Sequence, residues 1–179
     1  MAELARTFIG DMTLRLHRLR TTAEDAMAQV HGEHFTAAPD PETNSIAITV
    51  KHLAGNLESR FADFPAADGE SPDRDRDDEF VLNPGDTRDA LMARWTAAWE
   101  RMMQAVGGLQ DDDLTRTVPI RGEPHSVVAA LNRNLVHLAY HVGQIVQLAK
   151  HYAGTDWKTL TIPRGASGQF TAAVRRTNA

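Results

Sequence analysis

Cysteine is absent from all 179 residues. That removes disulfides, a thiolate nucleophile and every cysteine-bearing zinc site from consideration. No uninterrupted apolar run reaches transmembrane length, and MAELARTFIG passes into an amphipathic pattern without the apolar stretch of a signal peptide. The expectation is a cytoplasmic protein that does not enter a membrane. A basic face is also missing. The net charge is −5 and the pI near 5.9, with no aromatic-basic stripe, so nucleic acid is not an expected partner. The alternation that marks strands is almost absent, and so are HExxH, GxSxG and a phosphate-binding glycine loop. A metal held by this chain would have to use histidine, carboxylate or amide ligands.

What the chain does have is helical periodicity. Leu4, Phe8, Met12, Leu16, Leu19, Ala23, Ala26 and Val30 recur at three and four, predicting a first helix over about Glu3 to Val30. A second begins after an N-cap at Asn44 or Ser45, carries Ile46, Val50, Leu53, Leu57, Phe61 and Phe64, and ends at Pro65. The third starts at Asp86 or Thr87, presents Leu91, Trp95, Trp99, Met102 and Val106, and stops at Gly107-Gly108. The fourth starts near Ser126, presents Val127, Leu131, Leu135, Leu138, Val142, Ile145 and Leu148, and ends at Gly154. Four wide apolar stripes predict an all-α four-helix bundle, with Trp95 and Trp99 in its core. A chain of this length suits one domain better than two. The linker Ala66–Gly85 is longer than compact domains usually need, so it can cross the bundle and leave helices 2 and 3 parallel. Thr115–Arg121 reads as a short extended piece, and residues 155–179 as a C-terminal tail.

One stretch of helix 4 carries chemistry. HLAYHVGQI places His137 and His141 four apart, on one face and one turn from each other. With eight histidines in the chain, roughly 0.35 such pairs arise by composition alone, so the pair needs a third ligand. Helix 2 offers His52 in KHLAGN, where His52, Asn56, Ser59 and Asp63 form a polar wedge beside the stripe. His137 and His141 lie at the edge of the helix 4 stripe, so the two edges can converge in a groove. Three imidazoles on one ion would leave positions open for water or substrate. The competing reading is three part-buried histidines bonded to carbonyls or water, with Asn56 and Asp63 solvated.

The combination of KHLAGN, HLAYHVGQI and four-helix patterning resembles the DinB-like superfamily, which includes bacillithiol transferases and mycothiol-dependent maleylpyruvate isomerases. The resemblance is closer to a branch marked by KHLAGNLESRFADF, an acidic-basic loop, IRGEPHSV, HLAYHVGQIV and a tail W-x-x-L-x-IPRG-x-S-x-x-F, here Trp157 to Phe170. It covers nearly the whole chain, 1–179, as one domain. It implies a divalent metal on His52, His137 and His141, and parallel helices 2 and 3; Asn56 and Asp63, from the polar wedge, are the candidate second layer around it. The ion could be zinc, nickel, manganese or iron.

Other motifs carry less. Asp73-Arg-Asp75-Arg-Asp77-Asp78 starts like a calcium loop, but the sixth position is Asp78 and the twelfth Pro84, so the crossover over 68–80 reads as a solvated charged loop or a lid. His125, just before helix 4, is a candidate general base or substrate contact; the alternative is a residue leading into the helix beside the cap Ser126. It stands about 18 Å along the helix axis from His137, too far to share the ion. The remaining four histidines, His17, His31, His34 and His151, receive no role.

The functional expectation is a metal-dependent enzyme acting on a small molecule, by metal-assisted hydrolysis or by thiol S-transfer with a low-molecular-weight thiol as co-substrate. The alternative is a non-catalytic, stress-associated bundle that binds metal or a small ligand. Asn132, Val136, Ala139, Gly143 and Val146 form a strip of modest side chains on helix 4. It packs either inside the chain or in a homodimer.

Overall fold

The computed structural model describes residues 2–66 and 74–177. Its long helices are α1 (Ala2–Met27), α2 (Ile46–Arg60), α3 (Arg88–Gly107) and α4 (Val127–Ala153). Their apolar stripes leave water only by meeting one another. Leu16, Leu53, Leu57, Trp95, Trp99, Leu131, Leu138 and Ile145 are each at most 1% exposed in the resulting core. The expected four-helix bundle is what forms, with Trp95 and Trp99 inside. Leu4 departs from its expected place: it is 71% exposed, and Ala5, about 100° further round the helix, turns inward instead.

Local chemistry sets the helix ends. Ser45, Thr87 and Ser126 each accept a hydrogen bond from a backbone N–H in the first turn of α2, α3 and α4 respectively. At the far end of α1, the Arg88 guanidinium donates to the carbonyls of Met27 (2.7 Å) and Val30 (2.6 Å), while lying over the Phe35 ring. Met27 is the last residue of α1, and its carbonyl also accepts from the Val30 N–H at 3.1 Å.

The broadest interfaces are α2 on α3 and α1 on α4. Lys51 meets Asp86 and Glu58 meets Arg94, so both helices advance in the same direction. Glu24 meets Trp95 and Met27 meets Arg88, so α1 runs against α3. The crossover thus spans the bundle, and parallel helices 2 and 3 are observed. Lys51 clamps it. This residue is only 3% exposed, and its Nζ donates to Asp78 Oδ2 (2.8 Å), the Val81 carbonyl (2.8 Å) and Asp86 Oδ2 (2.9 Å). All three ammonium protons are used, which is what makes burying the charge tolerable.

Two features extend the expectation. The extended piece is β1 (Thr117–Ile120), and it has an antiparallel partner, β2 (Glu123–Ser126), that the Glu-Pro-His-Ser sequence did not suggest. Arg121 (φ 53°) and Gly122 (φ 76°) join them, two consecutive positive φ values as in a type I′ turn. The tail also carries a fifth helix, α5 (Ser167–Thr177), with no buried residue. Gln29 fastens the tail near its start, exchanging two hydrogen bonds with the Lys158 backbone. No helix among the described residues is long and apolar enough to cross a membrane.

Candidate metal centre

α2 and α4 bring His52, His137 and His141 together, with one ring nitrogen from each lying within 4.8 Å of the others. The tightest pair is His52 Nε2 and His137 Nε2 at 3.2 Å. Around a tetrahedral zinc ion, nitrogens at about 2.0 Å from the metal stand about 3.3 Å apart. The cluster is therefore within a small side-chain adjustment of that geometry.

Two of the three rings are oriented by a hydrogen bond at Nδ1. His52 Nδ1 lies 2.9 Å from Glu79 Oε2, and His141 Nδ1 lies 2.8 Å from Gln144 Oε1. A carboxylate and an amide oxygen can only accept, so each Nδ1 carries the proton and donates it. Each Nε2 is then left with a lone pair facing the cluster. Such outer partners are the usual device for fixing tautomer and orientation in metal-binding histidines. Two of the imidazoles, His137 and His141, are also kept neutral. Burial, with the charges of the neighbouring histidines and of Arg60 and Arg74, holds His137 at a pKa of about 3. Burial likewise lowers His141, against the opposing pull of its bond to Gln144.

Glu79 sits in a short 3-10 turn, Asp78–Phe80, of the crossover and is 3% exposed. Arg74 holds it through Nε (2.7 Å) and Nη2 (2.9 Å). Burial alone would raise its pKa, but hydrogen bonds from His52 and Arg74 outweigh this and hold it below the usual range. The carboxylate reaches this place because residue 55 is glycine. A Cβ there would collide with Glu79 Oε1 and stand 2.9 Å from its Cδ. The crossover is thus not simply a solvated loop. Asp75 and Asp77 are exposed, but Arg74, Asp78 and Glu79 are engaged with α2 or one another; Asp73 lies outside the described residues.

The open side of the histidine triangle faces a cavity of about 860 Å³. Asn56 lines it, 9% exposed, with an Oδ1 that has no hydrogen-bond partner. The donor set and this orphaned oxygen fit an ion with its solvent or substrate ligands. The structure does not bring Asp63 or His125 to the cavity. Asp63 is exposed beyond the end of α2. His125, on β2 opposite Val118, pairs its Nδ1 with the Glu123 carbonyl at 2.9 Å. Glu79 and Arg121, which lines the cavity, were not singled out from the sequence. The available signals were Gly55, a glycine inside a helix that implies a close approach, and Gly122, which permits the turn presenting Arg121.

A bundle of this form with a three-histidine cluster defines a class of helical protein fitted for a metal ion. The model of the family described as protein of unknown function, DUF1572, matches residues 3–166, and the chain belongs to that family. Neither the curated proteins nor the solved structures gave a match.

Gly55→Ala should destabilise the protein by about 1–3 kcal/mol through overpacking, the reverse of the roughly 1 kcal/mol gain expected in a free helix. Urea unfolding checks this, and equal or greater stability would contradict the Gly55–Glu79 contact. The pH dependence of the metal-free protein follows from His137. Between its folded value of about 3 and its ordinary 6.5, only the unfolded chain takes up the proton. Stability should therefore be full above pH 6.5 and decline toward pH 3, with a shallower decline in His137→Asn. Thermal melts between pH 7 and pH 5 that stay level would contradict this.

Proposed function

We propose that this chain is a divalent-metal-dependent enzyme acting on a small molecule, with His52, His137 and His141 as the metal ligands. The observation that carries the reading is the asymmetry of the triangle. Glu79 closes the side behind His52 and aims its ring, Gln144 aims His141 from the cavity wall, and the three rings open on the cavity. A purely structural site would be closed by a fourth protein ligand. The DinB-like resemblance points the same way, toward S-transfer from a low-molecular-weight thiol or metal-assisted hydrolysis. The ion would supply Lewis acidity, activating a thiol or a water at neutral pH. The chain's own part is to hold three imidazoles in place, to keep Glu79 ionised behind His52, and to leave the Asn56 oxygen free to accept from a ligand. Asn56 thus acts beside the centre; Asp63 and His125 have no part in this reading.

Tag-free protein should carry close to one transition ion per chain by elemental analysis. His52→Ala and His141→Ala should each lose most of it while staying folded, and Glu79→Gln should weaken affinity by about 10–100-fold. Failure to reconstitute with zinc, nickel, manganese or iron would overturn the ligand assignment. Full metal without turnover, across a panel of thiols with electrophiles and of hydrolysable esters and amides, would favour the non-catalytic bundle.

The same reading includes a homodimer. Asn132, Val136, Ala139 and Gly143 on α4 are all exposed, so the chain's own helices leave most of that strip uncovered. Val136 and Tyr140, 69% and 65% exposed, also line the cavity, which would place a second copy beside its mouth. Light scattering should give twice 19.7 kDa at micromolar concentration, with Val136→Arg shifting the mass toward one chain. A wild-type monomer at high concentration would end the dimer proposal.

A further inference from the structure

The charge around the cavity is opposite to that of the chain. The protein carries 24 acidic against 19 basic side chains, yet the described residues lining the cavity include five of its sixteen arginines and no carboxylate. They arrive from four separate places: Arg60 from the end of α2, Arg74 and Arg76 from the crossover, Arg121 from the hairpin turn and Arg133 from α4. Convergence from four segments is not the by-product of one charged helix face.

These arginines do not all have the same work. Arg74 is committed to Glu79 through two hydrogen bonds. Arg76 lies over the Phe80 ring, 5.1 Å from its centroid, and the ring in turn packs on His52. Neither Arg76 nor Arg133 has a carboxylate partner among the described residues. A concave wall of one sign concentrates the opposite charge, and a guanidinium fork matches the paired oxygens of a carboxylate or phosphate.

We propose that the cavity selects a small anionic substrate, whose carboxylate or phosphate group is gripped by Arg76 and Arg133 while its reacting end lies at the three-histidine centre. This names the substrate class for the metal-dependent activity proposed above, and it rests on that reading only for where the reacting end lies. The wide mouth suits a molecule larger than the bare anion, and the charge selects against neutral and cationic ones.

The test is calorimetric titration of metal-free protein at low ionic strength, with inorganic phosphate and separately with succinate. At least one should bind at one site per chain. Arg76→Gln combined with Arg133→Gln should weaken that binding at least tenfold, while Arg18→Gln, an exposed arginine of α1 outside the cavity, should leave it unchanged. Phosphate binding alone would identify a phosphorylated substrate, and succinate binding alone a carboxylic acid. Absence of binding by both anions, or equal weakening by Arg18→Gln, overturns the proposal. Metal content of the same proteins is measured separately. An anion site without metal leaves this inference standing and removes the metal reading, while metal without an anion site does the reverse.

Discussion

A buried carboxylate organises this protein. Glu79 is almost fully withdrawn from water, and an unpaired carboxylate in such a place would cost several kcal/mol. It is tolerated because Arg74 neutralises it, His52 donates to it and Gly55 leaves room for it. One residue earlier on each segment, Lys51 takes Asp78. Two adjacent residues of helix 2 thus grip two adjacent residues of the crossover. The described part of the crossover, from Arg74 on, is thereby fixed against helix 2, and the ring of His52 is aimed by the same contacts.

Two influences act on the histidine cluster. Glu79 and Gln144 settle which nitrogen of two rings carries the proton. Burial and nearby guanidinium groups make a charged imidazole unfavourable, most strongly at His137. The bond to Gln144 pulls His141 toward protonation, and burial outweighs it, leaving the neutral imidazole that a metal requires. Arg60 and Arg74, which add to the effect of burial on His137, line the same cavity as the arginines proposed to hold an anion. This couples the proposed chemistry to the arginines of segments distant in sequence.

Much of the bundle was legible because helical periodicity is a local signal. The stripes of Leu53 and Leu57, Trp95 and Trp99, and Leu131 and Leu138 go to the core as their spacing predicts. The caps were narrowed to a residue or two, and Ser45 and Thr87 proved to be the ones used. His52, His137 and His141 could be grouped from stripe edges and a family resemblance. Asp63 shares the wedge angle of His52 but lies past the last turn of the helix, where the angle no longer describes its position. Arg74, Glu79 and Arg121 had no periodicity to reveal them, because they sit on a crossover and a turn whose paths depend on what they pack against. The α5 helix stands outside the core and so lacks the buried stripe that would have announced it.

The sequence by itself determined four amphipathic helices, a chemistry without thiols, and two histidines one turn apart, since each follows from residue type and local spacing. Only the tertiary structure decided which face of the crossover turns inward, which acid stands behind His52, and that five arginines share one cavity. Those outcomes depend on contacts between segments far apart in the chain. A Coulombic or hydrogen-bonded pairing of that kind leaves no repeating trace along the sequence, whereas burial of a helix face writes its period into every turn.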